Sequence, residues 1–130
     1  MTQRNASRSK FIFHELDETL AAQLRDATSD CAPKFYSARS TSECLAMAER
    51  LHADVVFCGS QPAEYRALLD AVKRRGLRLP VVVVSRLPEV SEWLDALDAG
   101  AVDYCAAPFE HQHMQWLIQT ALLASQQALA

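Results

Sequence analysis

Pro80-Val81-Val82-Val83-Val84-Ser85 is the stretch that decides the fold. Four consecutive β-branched residues favour an extended strand, and no polar residue alternates with them. A strand apolar at every position is buried on both faces, as in a parallel sheet covered by helices. The flanking sequence fits that setting. Before the valines, Val55-Val56-Phe57-Cys58 reads as a buried strand closed by Gly59. Ala63 to Arg75 then reads as an amphipathic helix carrying Leu68, Leu69 and Val72 and stopping at Gly76. After the valines come a helix from Glu89 to Ala99 ended by Gly100, a strand from Val102 to Ala106, and a helix from Glu110 to about Ala128. That last helix turns Met114, Leu117, Ile118, Ala121 and Leu122 inward.

Towards the N-terminus the pattern continues. Residues 1–9 are polar and unpatterned, a flexible lead-in, and the folded domain is expected over 10–130. Phe11 to His14 suits a strand, and Asp17 to Arg25 a helix with Leu20, Ala21 and Leu24 at helical spacing. Cys31-Ala32-Pro33 breaks the chain, because proline removes a donor and restricts its predecessor. Lys34 to Ala38 suits a short strand. Ser40 or Thr41 can cap a helix bearing Cys44, Leu45, Met47, Ala48 and Leu51. Strand and helix thus alternate five times, which predicts a doubly wound (βα)5 α/β domain: a five-stranded parallel sheet with helices on both faces. Such sheets carry their sites at the carboxyl ends of the strands, here just after His14, Cys58, Val84 and Cys105. The polar Ser125-Gln126-Gln127 could lead on into a linker.

Composition narrows the function. The 130 residues are 50% hydrophobic and 22% charged, a globular balance, and the formal net charge is -3. Neither nucleic acid nor an anionic membrane is favoured as a direct partner. Cys31, Cys44, Cys58 and Cys105 lack C-x-x-C spacing and read as reduced thiols of a cytoplasmic protein. No secretory leader precedes the first apolar run, and no run approaches the ~18 residues of a membrane span.

Four segments in order carry a family resemblance: Asp54-Val55-Val56-Phe57-Cys58, Pro80 to Ser85, Ala99-Gly100-Ala101-Val102-Asp103-Tyr104, and Ala107-Pro108-Phe109. From about Lys10 to about Ala124 the chain resembles the response-regulator receiver family, and the resemblance implies a flavodoxin-like receiver fold. In that family the strand ends hold an acidic pair that binds Mg²⁺, an aspartate that accepts phosphate, a switch Ser or Thr, a switch aromatic, and a lysine before a proline. Attack by a carboxylate on phosphorus needs a cation and a fixed ammonium to neutralise developing charge.

Carried onto this sequence, the acidic pair falls on Glu15 and Leu16. Shifting by one residue would offer Asp17 but spoils the phase of Leu20 and Leu24. The phosphoacceptor falls on Gly59, counted from Asp54, or on Cys58 if the early helix start at Ser60-Gln61-Pro62 shifts the alignment. The switch hydroxyl is Ser85, the switch aromatic Tyr104, and the lysine position Ala107. The expectation is a degenerate pseudo-receiver with no phosphoacceptor, no catalytic residue, no bound metal and no cofactor.

Blander readings stand beside these. Glu15 alone is an ordinary solvated loop carboxylate, since Mg²⁺ wants further oxygen ligands. Ser85 can equally be a strand-end hydroxyl, and Tyr104 a packed aromatic with its hydroxyl at the rim. A redox role for Cys58 would want positive charge nearby. Cys105 belongs to a strand two positions away, roughly 9–10 Å, too far for a disulfide. His111 and His113 lie on different faces of one helix. Lys73, Arg74, Arg75 and Arg78 suit the negative end of a helix dipole.

The remaining surface is that of the fourth helix, fifth strand and fifth helix, where Trp93 is expected as an interface anchor with Leu117 beside it. The function expected is a phosphorylation-independent regulatory or dimerisation module of bacterial two-component signal transduction. It would act on an output domain or protein partner, in transcription regulation by family analogy, and would not be an enzyme. Two alternatives are a receiver phosphorylated at a non-standard residue and a small flavodoxin-like ligand-binding domain or enzyme. No Gly-rich phosphate loop supports the second.

Overall fold

The structure is a computed structural model that describes residues 9–29, 34–87 and 89–127, with 124–127 described by backbone alone. The chain alternates β1 (Lys10–His14), α1 (Glu18–Ala27), β2 (Lys34–Ala38), α2 (Thr41–Leu51), β3 (Val55–Gly59), α3 (Pro62–Arg74), β4 (Val81–Ser85), α4 (Val90–Ala99), β5 (Asp103–Ala106) and α5 (His111–Gln127). The strands form one parallel sheet in the order β2-β1-β3-β4-β5. The expected five-fold alternation is therefore present. The break expected at 31–33 and most of the lead-in lie outside the described residues.

Burial explains the layering. Strands β3 and β4 are buried at every position, as the unbroken valine run predicted. Side chains alternate across the sheet. Phe11, Phe13, Val55, Phe57, Val82, Val84 and Cys105 pack with α1 and α5 on one side. Ile12, Val56, Cys58, Val81 and Val83 pack with α2, α3 and Ala96 of α4 on the other.

Local signals set the helix ends. The Asp17 carboxylate accepts the Leu20 N–H at 2.8 Å and starts α1. Ser40 accepts the Glu43 N–H at 3.1 Å, and Glu43 accepts the Arg39 N–H at 2.6 Å, an exchange close to a capping box. Pro62 opens α3, where its missing donor costs nothing. Gly100, with φ of 118°, closes α4.

One expectation needs correcting. Leu117 is not an interface residue: it is 1% exposed and lies in the core with Met114, Ile118 and Ala121. The stripe of α5 includes it fully, and its neighbour Trp116 faces out, 58% exposed.

Candidate functional site

The carboxyl ends of the strands enclose a cleft of ≈ 430 Å³ lined by Glu15, Asp17, Gly59, Ser60, Ser85, Arg86, Glu89 and Glu92, among others. The register that pairs His14 with Cys58 brings Glu15 beside Gly59. Glu15 adopts φ of 57°, a left-handed conformation uncommon for a residue with a side chain. A Cβ placed on Gly59 would stand 2.3 Å from the Glu15 carbonyl oxygen, inside any allowed contact. Gly59 therefore lacks an acceptor side chain and also lacks room for one while the β1–α1 loop keeps this course.

Cys58, the other alignment for the acceptor, points away from the cleft. It is fully buried in the core layer that holds Ile12, Cys44 and Tyr65. Burial pushes its thiol well above the ordinary range, and the nearby Cys44, Glu64 and Glu15 add to the rise. A nucleophilic thiolate is disfavoured there. Burial likewise pushes the Cys105 thiol up to about 12. Cys58 and Cys105 lie in opposite core layers, so no bridge can join them.

The other expected positions are occupied as follows. Glu15 is exposed and Leu16 packs partly against the core. The Ser85 hydroxyl accepts the Leu87 N–H at 3.1 Å and donates to the Leu87 carbonyl at 3.0 Å. It is thus bound to its own loop and also lies within hydrogen-bond reach of the Tyr104 hydroxyl. The Tyr104 hydroxyl donates to Glu92 at 2.9 Å. Burial raises the pKa of the Tyr104 phenol, the neighbouring Ser85 hydroxyl pulls it back, and Glu92 raises it further. Ala107 is half-buried, and its N–H donates to the Ser85 carbonyl at 2.9 Å.

Three features in and around the cleft were not anticipated. Arg86 reaches across it to Asp17 at 2.8 Å, tying the β4–α4 loop to the start of α1. The Leu20 N–H and then Arg86 hold the Asp17 carboxyl below the usual range. Glu64, in the first turn of α3, sits near Glu15, and its carboxyl is raised by burial first and by Glu15 next. His14 is 1% exposed, and its Nδ1 has no partner among the described residues. The polar His14 ending an apolar strand was the sole sequence signal for any of the three.

These residues do not fit the divalent cation that the family resemblance implies. Gly59, where the resemblance puts the acceptor, offers no carboxylate, Leu16 packs partly against the core, and Asp17 is engaged by Arg86 and the α1 backbone. Among the described residues no three His, Cys, Asp or Glu side chains are grouped to hold a metal ion.

The second concavity, ≈ 270 Å³, lies between α4, β5 and α5 and is lined by Glu89, Val90, Trp93, Tyr104, Cys105, Ala106 and His113. Trp93 is 43% exposed, and the exposed His113 stacks on Trp116 with ring centroids 6.3 Å apart. The structure thus puts Trp93 on a partly exposed apolar groove and removes Leu117 from it.

No family model matches this sequence, and no curated protein matches it. Solved structures do. NtrX from Brucella abortus, solved in complex with ADP, superposes with a TM-score of 0.77 at 22% identity; the match covers 92% of this chain and 27% of that one. The signal receiver domain of an HD domain-containing protein from Pseudomonas fluorescens Pf-5 gives 0.74 at 15% identity, covering 92% of this chain and 98% of that one. A response regulator from Thermotoga maritima gives 0.74 at 16% identity, covering 89% and 98%. The fold is that of response-regulator receiver domains. Among the described residues, no helix is long and apolar enough to cross a membrane.

Proposed function

We propose that this chain is a pseudo-receiver: a receiver-like domain of bacterial two-component-type signalling that regulates by protein contact, without phosphorylation. One observation carries the reading. At Gly59 the acceptor side chain is missing and the Glu15 carbonyl occupies the space beside it. The apolar groove at Trp93 supports the second half, contact with an output domain, a partner or a second copy. On this reading the domain is cytoplasmic and not an enzyme, binds no nucleic acid itself, and influences transcription through what it contacts.

The test is the intact mass of the protein after incubation with acetyl phosphate and Mg²⁺. An unchanged mass is expected. A stable adduct within 57–62, Ser60 included, would replace this reading by that of a receiver phosphorylated at an unusual residue.

A further inference from the structure

Beyond Arg86 the sequence contains no Lys or Arg, whereas it contains Glu89, Glu92, Asp95, Asp98, Asp103 and Glu110. That stretch builds α4, β5 and α5, so these three elements carry carboxylates and no lysine or arginine, and Glu89 lines the Trp93 groove itself. Three of the carboxylates are occupied within the fold. Asp95 pairs with Arg66, Glu92 accepts from Tyr104, and Asp103 accepts the Tyr104 N–H. Glu89, Asp98 and Glu110 are exposed and have no cationic partner among the described residues. Arg86, the nearest cation in sequence, is already held by Asp17.

We infer that this face receives a partner segment carrying a large apolar side chain flanked by lysine or arginine, rather than a second copy of the chain. The inference rests on the proposed function and narrows its partner. A symmetric dimer brings one surface against itself. Here it would set carboxylates against carboxylates with no lysine or arginine to intervene, an arrangement that suppresses association. A basic segment meets none of that repulsion. Its apolar residue would enter the groove between Val90, Trp93, Tyr104 and His113. Its cations would reach Glu89, which lines the groove, and Glu110, one turn before His113 at the same end of the sheet. Apolar centre and charged rim is the usual anatomy of a recognition surface.

The experiment titrates a leucine–lysine peptide of helical periodicity into the labelled domain and follows backbone amide shifts. The same peptide with glutamate for lysine is the control. Expected are shifts at Val90, Trp93, Tyr104 and His113 with the lysine peptide alone, and an affinity that falls at least ~tenfold as salt rises through the screening range. The pair E89Q/E110Q should weaken that binding at least ~fivefold with the melting midpoint unchanged. Equal shifts with both peptides, shifts confined to the cleft at Glu15 and Asp17, or no shifts would overturn the inference. So would a salt-insensitive dimer abolished by Trp93→Ala, although that result would leave the proposed function standing. A phosphoryl adduct in the mass measurement would instead remove the proposed function itself.

Discussion

Gly59 concentrates the chemistry of this domain into one residue. A methyl group there must displace the Glu15 carbonyl, which is backbone and cannot swing aside. Gly59→Ala should therefore cost about 1–3 kcal/mol, the range of overpacked interiors, seen as a lower urea midpoint. Gly59→Asp should cost at least as much and still take no phosphate from acetyl phosphate, because Leu16 and Ala107 leave the cation and the ammonium without equivalents. Asp17 gives a pH-dependent prediction. Its carboxyl is held below its ordinary range by the Leu20 N–H and by Arg86. Its contribution is complete above the unfolded carboxylate range and is lost as pH falls through its depressed folded value. Asp17→Ala should cost about 1 kcal/mol at pH 7, the usual worth of a helix cap. That difference should disappear in strongly acidic solution, which urea melts of the pair across pH will show. At this scale the want of any side chain at position 59 could be read directly from the sequence. The closure by the Glu15 carbonyl and the Arg86–Asp17 bridge could not, because both are meetings through space between segments distant in sequence.

Helices α4 and α5 carry the face on which the proposed function depends, and their sequences differ in how much they disclose. Trp93 is the one large aromatic of α4, where only some of Val90, Trp93, Leu94 and Leu97 could lie inside; in the structure Ala96 alone is buried and Trp93 is 43% exposed. In α5 the helical stripe read from the sequence turns Leu117 and Ile118 inward and leaves Trp116 off it, as the structure has them; the expectation of Leu117 at an interface runs against that stripe. The result separates two substitutions. Leu117→Ala should cost about 2–5 kcal/mol of folding stability as a core cavity, whereas Trp116→Ala should change it by less than about 1 kcal/mol; thermal melts decide. Trp93→Ala should weaken partner binding by more than about 2 kcal/mol while leaving most of the melting temperature intact. A large fall in melting temperature with unchanged binding would move Trp93 from the interface into the core. The anchoring of α4 gives a further test. Tyr65 and Arg66 both bind Asp95, and Tyr104 binds Glu92, so α4 is tied to α3 on one side and to β5 on the other. Tyr65→Phe should raise amide hydrogen exchange within Val90–Ala99 above that of the parent and leave β3 unchanged.

For the whole molecule, a sheet and its five helices are laid down as in receiver domains, and on the proposed reading the crevice at the strand ends has no means of phosphoryl transfer. The architecture was legible because it is written in redundant signals: the uninterrupted Val81–Val84 strand, the cap at Ser40, the stop at Gly100 and five alternations in order. The proposed loss of chemistry rests on Gly59 and Ala107, which bring no functional group to the positions the resemblance assigns to the acceptor and the lysine. The acidity of the α4–β5–α5 face was also present in the sequence, as a run without Lys or Arg after Arg86. It gains meaning only when the fold sets α4, β5 and α5 side by side, with Glu89 lining the Trp93 groove. On the proposed reading, with no phosphoryl switch, that face is held in a state set by its partners alone. The most direct measurement is the amide spectrum of the domain before and after beryllofluoride and Mg²⁺ are added together. The account predicts that the signals of Gly59, Ser85, Trp93 and Tyr104 stay in place. Saturable shifts at Ser85 and Tyr104 that spread to Trp93 would show a working phosphoryl switch and contradict it.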